Sequence, residues 1–272
     1  MKISVRALSF GFGGRILFDR LSVDLDGGEA GRPLVILGPS GCGKTTLLKL
    51  LGGLLKPHGG EIRFMGTETE GPKEEATRPP KTAFMFQESR LLPWLTVLEN
   101  TSLPLEKIFG REEARKRARH FLSLVFLEEK EGAYPGELSG GQAQRVSMAR
   151  AFAWPAPALF MDEPFQSLDI PLRINLMDLC LSLREKENNS GNHRLLIAVT
   201  HDPREAVYLG GRILILGSPA GGIVFDKNID LRPEDRAYGA AAAGELEREL
   251  IKHLENITGG VSWTRIRCEK YI

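Results

Sequence analysis

The sequence predicts an α/β fold with a mostly parallel sheet, and three observations carry the prediction. Apolar runs of strand length and β-branched content recur along the chain; segments of helical character separate most of them; and three of the runs end in polar residues. Residues 3–37 alternate the β-type runs ISVRALSF, RLSVDLD and PLVIL with glycine-rich breaks, which predicts an N-terminal antiparallel β edge leading into a buried strand before Gly38. Four further buried strands are expected in AFMF ending at Phe86, ALFM ending at Met161, LLIAVT ending at Thr200 and RILIL ending at Leu216. Ligands of such sheets sit beyond the carboxyl ends of the strands, where this chain delivers Gln87, the pair Asp162 and Glu163, and His201.

Between Ser89 and Gly140 the pattern turns helical, clearest in REEARKRARHFLSLVFLEE, and an inserted helical subdomain is expected over about 88–144. Glu112 precedes Lys116 by four residues, as Glu113 precedes Arg117, a spacing that pairs charges along a solvated helix face. Residues 66–82 and 217–239 are rich in glycine, proline and charge and read as loops or linkers. Leu246, Leu250, Leu254 and Ile257 recur at helical spacing and predict an amphipathic helix from about Glu245 to Ile257, packed on the main domain. The expected domains are 1–225 for the main body and 226–272 for a linker and this helix.

At 272 residues and 42% hydrophobic content the chain can bury a substantial core. Its 36 basic and 35 acidic residues leave a formal charge of +1, which offers no broad footprint for nucleic acid or anionic lipid. Cys42, Cys180 and Cys268 are odd in number, widely spaced and without zinc-site partners, so a reducing compartment is expected. The start MKISVRALSF lacks the pattern of a signal peptide and no window reaches the ~20 apolar residues needed to cross a bilayer, so membrane work is expected to need partner subunits.

GPSGCGKTT follows a buried strand and precedes the apolar helix LLKLL, the setting of a phosphate-binding loop and hence of a P-loop NTPase core. Its backbone N–H groups, from Gly38, Pro39, Ser40, Gly41, Cys42, Gly43, Lys44, Thr45 and Thr46, are candidates to cradle phosphate oxygens, proline contributing position rather than a donor. Lys44 would reach the β- and γ-phosphates, and the Thr45 hydroxyl would sit on Mg²⁺ with the Asp162 carboxylate. Cys42 is expected to contribute backbone, yet a maleimide is expected to inactivate through it, with ATP protecting.

LSGGQ, Leu138 to Gln142, opens a helical stretch running to about Phe152, with Ser139 placed to cap it. With Phe12, the phosphate loop, Gln87, LSGGQ, LFMDE, Ser167-Leu168-Asp169 and His201 in this order, residues 1 to about 225 resemble the ABC ATPase family. The resemblance implies ATP and Mg²⁺ as ligands and a head-to-tail dimer with a second copy. The signature residues Ser139, Gly140, Gly141 and Gln142 of one copy, with Asp169, would close over the γ-phosphate held by the other. It further implies Phe12 stacking on adenine, Glu163 as general base, His201 on the γ-phosphate, and Gln87 sensing metal and water.

FQESRLLPWLTVLEN, Phe86 to Asn100, resembles the corresponding segment in ATPases of importers for nitrate, sulfonates and taurine, although Gln166-Ser167 stands where many of them carry Gly-Ala. In that family the segment contacts the membrane subunit. Leu91, Leu92, Trp94 and Leu95 would therefore dock on an integral membrane permease, or else form subdomain core. The resemblance implies an ATPase at the cytoplasmic face of the membrane, serving permease subunits and, indirectly, an extracytoplasmic solute-binding protein, with no nucleic-acid partner. The alternatives are a soluble ABC-type ATPase of repair or assembly, an exporter ATPase, and nucleotide binding without hydrolysis.

Overall fold

The computed structural model describes residues 1–27, 32–66, 79–166, 168–189, 194–217 and 220–259. Its strands are β1 (Lys2–Phe12), β2 (Arg15–Leu25), β3 (Leu34–Leu37), β4 (Gly59–Met65), β5 (Thr82–Met85), β6 (Ala158–Asp162), β7 (Leu195–Thr200), β8 (Arg212–Leu216) and β9 (Ile223–Asn228). Its α-helices are α1 (Lys44–Leu51), α2 (Val97–Phe109), α3 (Arg111–Leu124), α4 (Gly140–Ala153), α5 (Ile170–Asn189), α6 (Pro203–Leu209) and α7 (Ala241–Ile257). The chain divides into two compact units, Met1–Pro80 with Leu195–Ile272, and Lys81–Arg194.

In the first unit β1 and β2 form a hairpin across Gly13 and Gly14, whose φ angles of 53° and 82° match a tight turn that only glycine enters freely. β4 pairs on the other edge of β1, giving the antiparallel order β2-β1-β4. This is the expected β edge, with β4 as a strand the sequence did not announce, because GGEIRFM opens on two glycines. β3 is buried throughout and lies parallel to both β7 and β8, as its unbroken apolar run requires.

β9 pairs antiparallel with β8 inside the stretch expected to be loop. It is mostly exposed, and its three apolar residues Ile223–Phe225 are too short a run to announce a strand; Arg212 of β8 holds it by two 2.8 Å bonds to Asp226. α7 buries Leu246, Leu250 and Leu254 as expected, and starts four residues earlier than Glu245 because Ala241–Ala243 are strong helix formers. Arg236, buried, donates to the carbonyls of Leu231, Val207, Gly210 and Ile229, which ties the segment before α7 to the end of α6.

In the second unit β5 and β6 pair in parallel, and α2, α3 and α4 pack on one another. α3 stops at Leu124 instead of continuing toward Glu129. Phe126 adopts a left-handed φ of 59°, so Val125 and Leu127 both turn inward, and Arg145 of α4 takes up the carbonyls of Val125 and Phe126. The charge pairing along α3 also differs from expectation: Lys116 lies 3.9 Å from Glu113. Arg117 turns onto the rings of Phe109 and Phe121 and donates to Ala153 O at 2.8 Å. Packing its guanidinium on aromatic faces outweighs a solvated ion pair, which contributes ~0.5 kcal/mol or less.

Candidate active site

The candidate residues fall into two sets, one on each unit. In the first unit the strand register sets the geometry. Leu37 of β3 is level with Thr200 of β7 and with Ile215 of β8, so Gly38 leaves the sheet at the height of His201 and Leu216. A side chain at Gly38 would collide with Leu216 O, at 2.8 Å from the position of a Cβ, which makes glycine obligatory there. Gly43 sits at φ 107° against the ring of Phe18, and the next residue starts α1 with no side-chain cap, so the helix N-terminal amides stay available to an anion.

Lys44 is only 6% exposed, and its ammonium donates to Gly38 O at 2.7 Å and Pro39 O at 3.0 Å. Two of its three protons thus stiffen the loop, and the third is left for an anionic acceptor. Thr45 and Thr46 lie in the first turn of α1. Cys42 is buried, 2% exposed, with its sulfur under Gly38, and burial pushes its thiol above the usual range although Lys44 opposes the shift. The expected maleimide sensitivity has this packing against it: the sulfur is buried and reluctant to ionise, and a thiol reagent needs an accessible thiolate.

His201 follows β7 at a turn held by a buried network. The Thr200 hydroxyl donates to Glu205 Oε2 at 2.6 Å and accepts from Asp202 N at 3.0 Å, while Asp202 caps α6 through Arg204 N at 2.9 Å. Sequence reasoning passed over Thr200 and Glu205 as site supports. The signal was present in DPREA, where an N-cap aspartate, proline at the first helical position and an early acid mark a helix start directly behind His201. Phe12 is 55% exposed at the end of β1 and stands edge-on to Phe10, whose other neighbour is His58.

In the second unit Met85 of β5 is level with Met161 of β6, so the same parallel register carries Gln87 and Glu163 out at one height. Asp162 is the last residue of β6 and is 2% exposed. Glu163 has a φ of 48°, a left-handed conformation that a non-glycine residue adopts only where its surroundings impose it. The chain then turns through Phe165, wholly buried, and Gln166 N donates to Glu163 O at 3.4 Å. The side chain of Gln166 accepts the amide N–H of Gln87 at 3.0 Å. Ser167 lies outside the described residues.

Ser139 caps α4 in a reciprocal box: its hydroxyl accepts from Gln142 N at 3.2 Å, and its own N–H donates to the Gln142 side chain at 2.9 Å. The box uses the amide of Gln142, so the donors it leaves at this helix end are those of Gly140 and Gly141. Asp169 caps α5 by accepting from Leu172 N at 2.9 Å. At the other end of α4, Arg150 donates to Ser89 O at 2.8 Å and Arg90 O at 3.1 Å, and Arg90 in turn lies over the ring of Phe86. Arg150 thereby grips the segment just after Gln87. It escaped sequence reasoning because nothing in MARAF distinguishes it from a solvent-facing arginine.

Oxygen is the donor type that Thr45, Gln87 and Asp162 share, and it is what a hard cation such as Mg²⁺ takes. Among the described residues no helix is long and apolar enough to cross a membrane.

A phosphate loop ahead of a helix, a strand-end Asp-Glu pair and a serine-capped LSGGQ helix on an α/β core define a nucleotide-hydrolysing cassette. The ABC transporter family model matches residues 18–166, and the chain belongs to that family as an ATP-binding, ATP-hydrolysing cassette. It is 35% identical over 263 residues to the aliphatic sulfonates import ATP-binding protein SsuB of Escherichia coli (strain K12), covering 97% of this chain and 94% of that protein. It is 37% identical over 250 residues to the corresponding protein, SsuB 1, of Xanthomonas axonopodis pv. citri, covering 90% and 93%. Among solved structures, the dimeric post-hydrolysis state of the ATP-binding cassette MJ0796 bound to ADP and Pi matches with a TM-score of 0.69 at 29% identity, over 85% of this chain and 100% of that one.

Proposed function

We propose that this chain powers an importer of a small anionic or organic solute of the sulfonate, taurine or nitrate class. It works as a head-to-tail dimer on the cytoplasmic face of the membrane, beneath separate permease subunits supplied by an extracytoplasmic binding protein. The observation that carries this reading is the similarity to aliphatic sulfonate import ATPases over 97% of the chain. The segment after Gln87 supports it. Asn100 accepts Leu92 N at 2.7 Å and donates to the carbonyls of Leu92, Leu95 and Thr96, which shapes Leu91–Thr96 into a fixed loop. Trp94, 69% exposed on that loop, is a rigid aromatic anchor of the kind that seats a short helix of a membrane partner.

In this reading the loop Gly38–Thr46 and the α1 N-terminus hold the β- and γ-phosphates, with Lys44 on their oxygens and the adenine against Phe12. Glu163 takes a proton from the attacking water as its oxygen bonds to the γ-phosphorus, and the bond from that phosphorus to the bridging oxygen breaks, leaving ADP and phosphate. His201 donates to a γ-phosphate oxygen, where negative charge is greatest. Thr45, Asp162 and Gln87 would hold Mg²⁺, which when bound neutralises charge on the β- and γ-oxygens. Gly140 and Gly141 of the second copy present their amides and the positive end of α4 to the same phosphate, with Ser139, Gln142 and Asp169 shaping that surface. ATP therefore joins the two copies and hydrolysis separates them, which the permease reads as motion.

The test is co-expression with candidate permease subunits, co-purification, and reconstitution into vesicles with a binding protein. ATP-dependent uptake of an alkyl sulfonate that requires all the components is the expected result. Stable ATPase activity with no membrane partner retained, or outward transport only, would refute the importer assignment.

A further inference from the structure

Gln166 meets the side chain of a candidate metal ligand at a fixed point of the fold, and nothing in the proposed chemistry has used it. Its position is set locally. Phe165, wholly buried, anchors the turn; Gln166 N donates to Glu163 O; and the parallel register of β5 with β6 brings Gln87 alongside. The Gln87 amide nitrogen donates to Gln166 Oε1 at 3.0 Å, and the Gln87 carbonyl oxygen accepts no hydrogen bond among the described residues.

An amide carries its nitrogen and oxygen on different sides of one planar carbon. Committing the nitrogen to Gln166 therefore turns the oxygen away from Gln166, and a cation on that oxygen favours this pairing over the one in which both amides are flipped. We propose that Gln166 is a positioning residue for Gln87, fixing its amide so that the oxygen is the atom offered to the divalent ion. Partners of this kind, which orient a ligand without touching the metal, typically set metal affinity by ~10- to 100-fold. The inference rests on the reading of Gln87 as a metal ligand.

The test measures Mn²⁺ binding by electron paramagnetic resonance to the full-length protein loaded with a β,γ-imido analogue of ATP, so that no turnover is involved. Gln166→Ala is expected to weaken Mn²⁺ binding about tenfold, and Gln87→Ala at least as much. The double variant is expected to be no weaker than Gln87→Ala alone, because Gln166 acts only through Gln87. Gln166→Glu, which can accept but not donate, is expected to keep the parent affinity. Parent affinity in Gln166→Ala with a loss in Gln87→Ala would overturn the positioning role and leave the metal reading standing; parent affinity in both would remove the two together. Additive losses, or a Gln166→Glu variant as weak as Gln166→Ala, would also overturn the proposal. Both glutamines are exposed, and a thermal melt of each variant verifies that the fold is retained.

Discussion

In the proposed function the loop Gly38–Thr46 and the ends of β5 and β6 serve the same nucleotide chemistry, and the two are built differently. In the loop the groups proposed to hold phosphate are mostly backbone amides, and the one side chain assigned to it, Lys44, is buried and held by two carbonyls of its own loop. At the strand ends they are side chains, Gln87, Asp162 and Glu163, whose directions depend on a strand register, a strained backbone and a neighbour's amide. A backbone cradle is preorganised by local sequence, whereas a side-chain constellation is preorganised only by packing.

The largest effect should come from the strand-end set, where one group does what no neighbour can. Glu163→Gln is expected to lower ATP turnover by at least ~10² while ATP binding persists and a nucleotide-trapped dimer accumulates. Size-exclusion chromatography with a phosphate-release assay reads both, and near-normal turnover would take the general-base role from Glu163. In the loop, Lys44→Ala removes one charged hydrogen-bond donor among many amides. ATP affinity is then expected to fall ~10- to 100-fold, the equivalent of about 1.5–3 kcal/mol, as measured by isothermal titration calorimetry. An unchanged affinity would mean that the backbone alone suffices.

The smallest effect is expected at Cys42. Its thiol should stay unmodified in the folded protein, with activity intact, and react only after denaturation, as intact-protein mass spectrometry would show. Rapid native labelling that ATP prevents would restore the maleimide sensitivity expected from sequence and show that the loop opens.

Much of both regions was legible beforehand, for different reasons. Glycines at fixed spacing between a buried strand and an apolar helix announce the loop, because only glycine tolerates φ 107° at position 43 and the close approach of Leu216 at position 38. Asp162, Glu163 and His201 stand out as candidates because they end apolar runs. Arg150, Thr200, Glu205 and Gln166 were not found as supports, since their roles lie in hydrogen bonds that sequence spacing does not encode. β4 and β9 carry little signal for a related reason: a strand that completes an edge is made by the strand it joins, and in β9 the apolar run stops at Phe225, with Asp226 and Lys227 following.

The sequence by itself determined the family, the order of β-edge, loop, helical segment and strand ends, and the candidate residues for binding and cleaving ATP, because backbone conformation and hydrophobic periodicity are local properties. Only the tertiary structure decided that Cys42 is packed, that Arg117 turns inward, and that Gln87 gives its amide hydrogen to Gln166. Burial, register and the direction of a hydrogen bond are set by residues distant in the chain, and no window of sequence contains both partners.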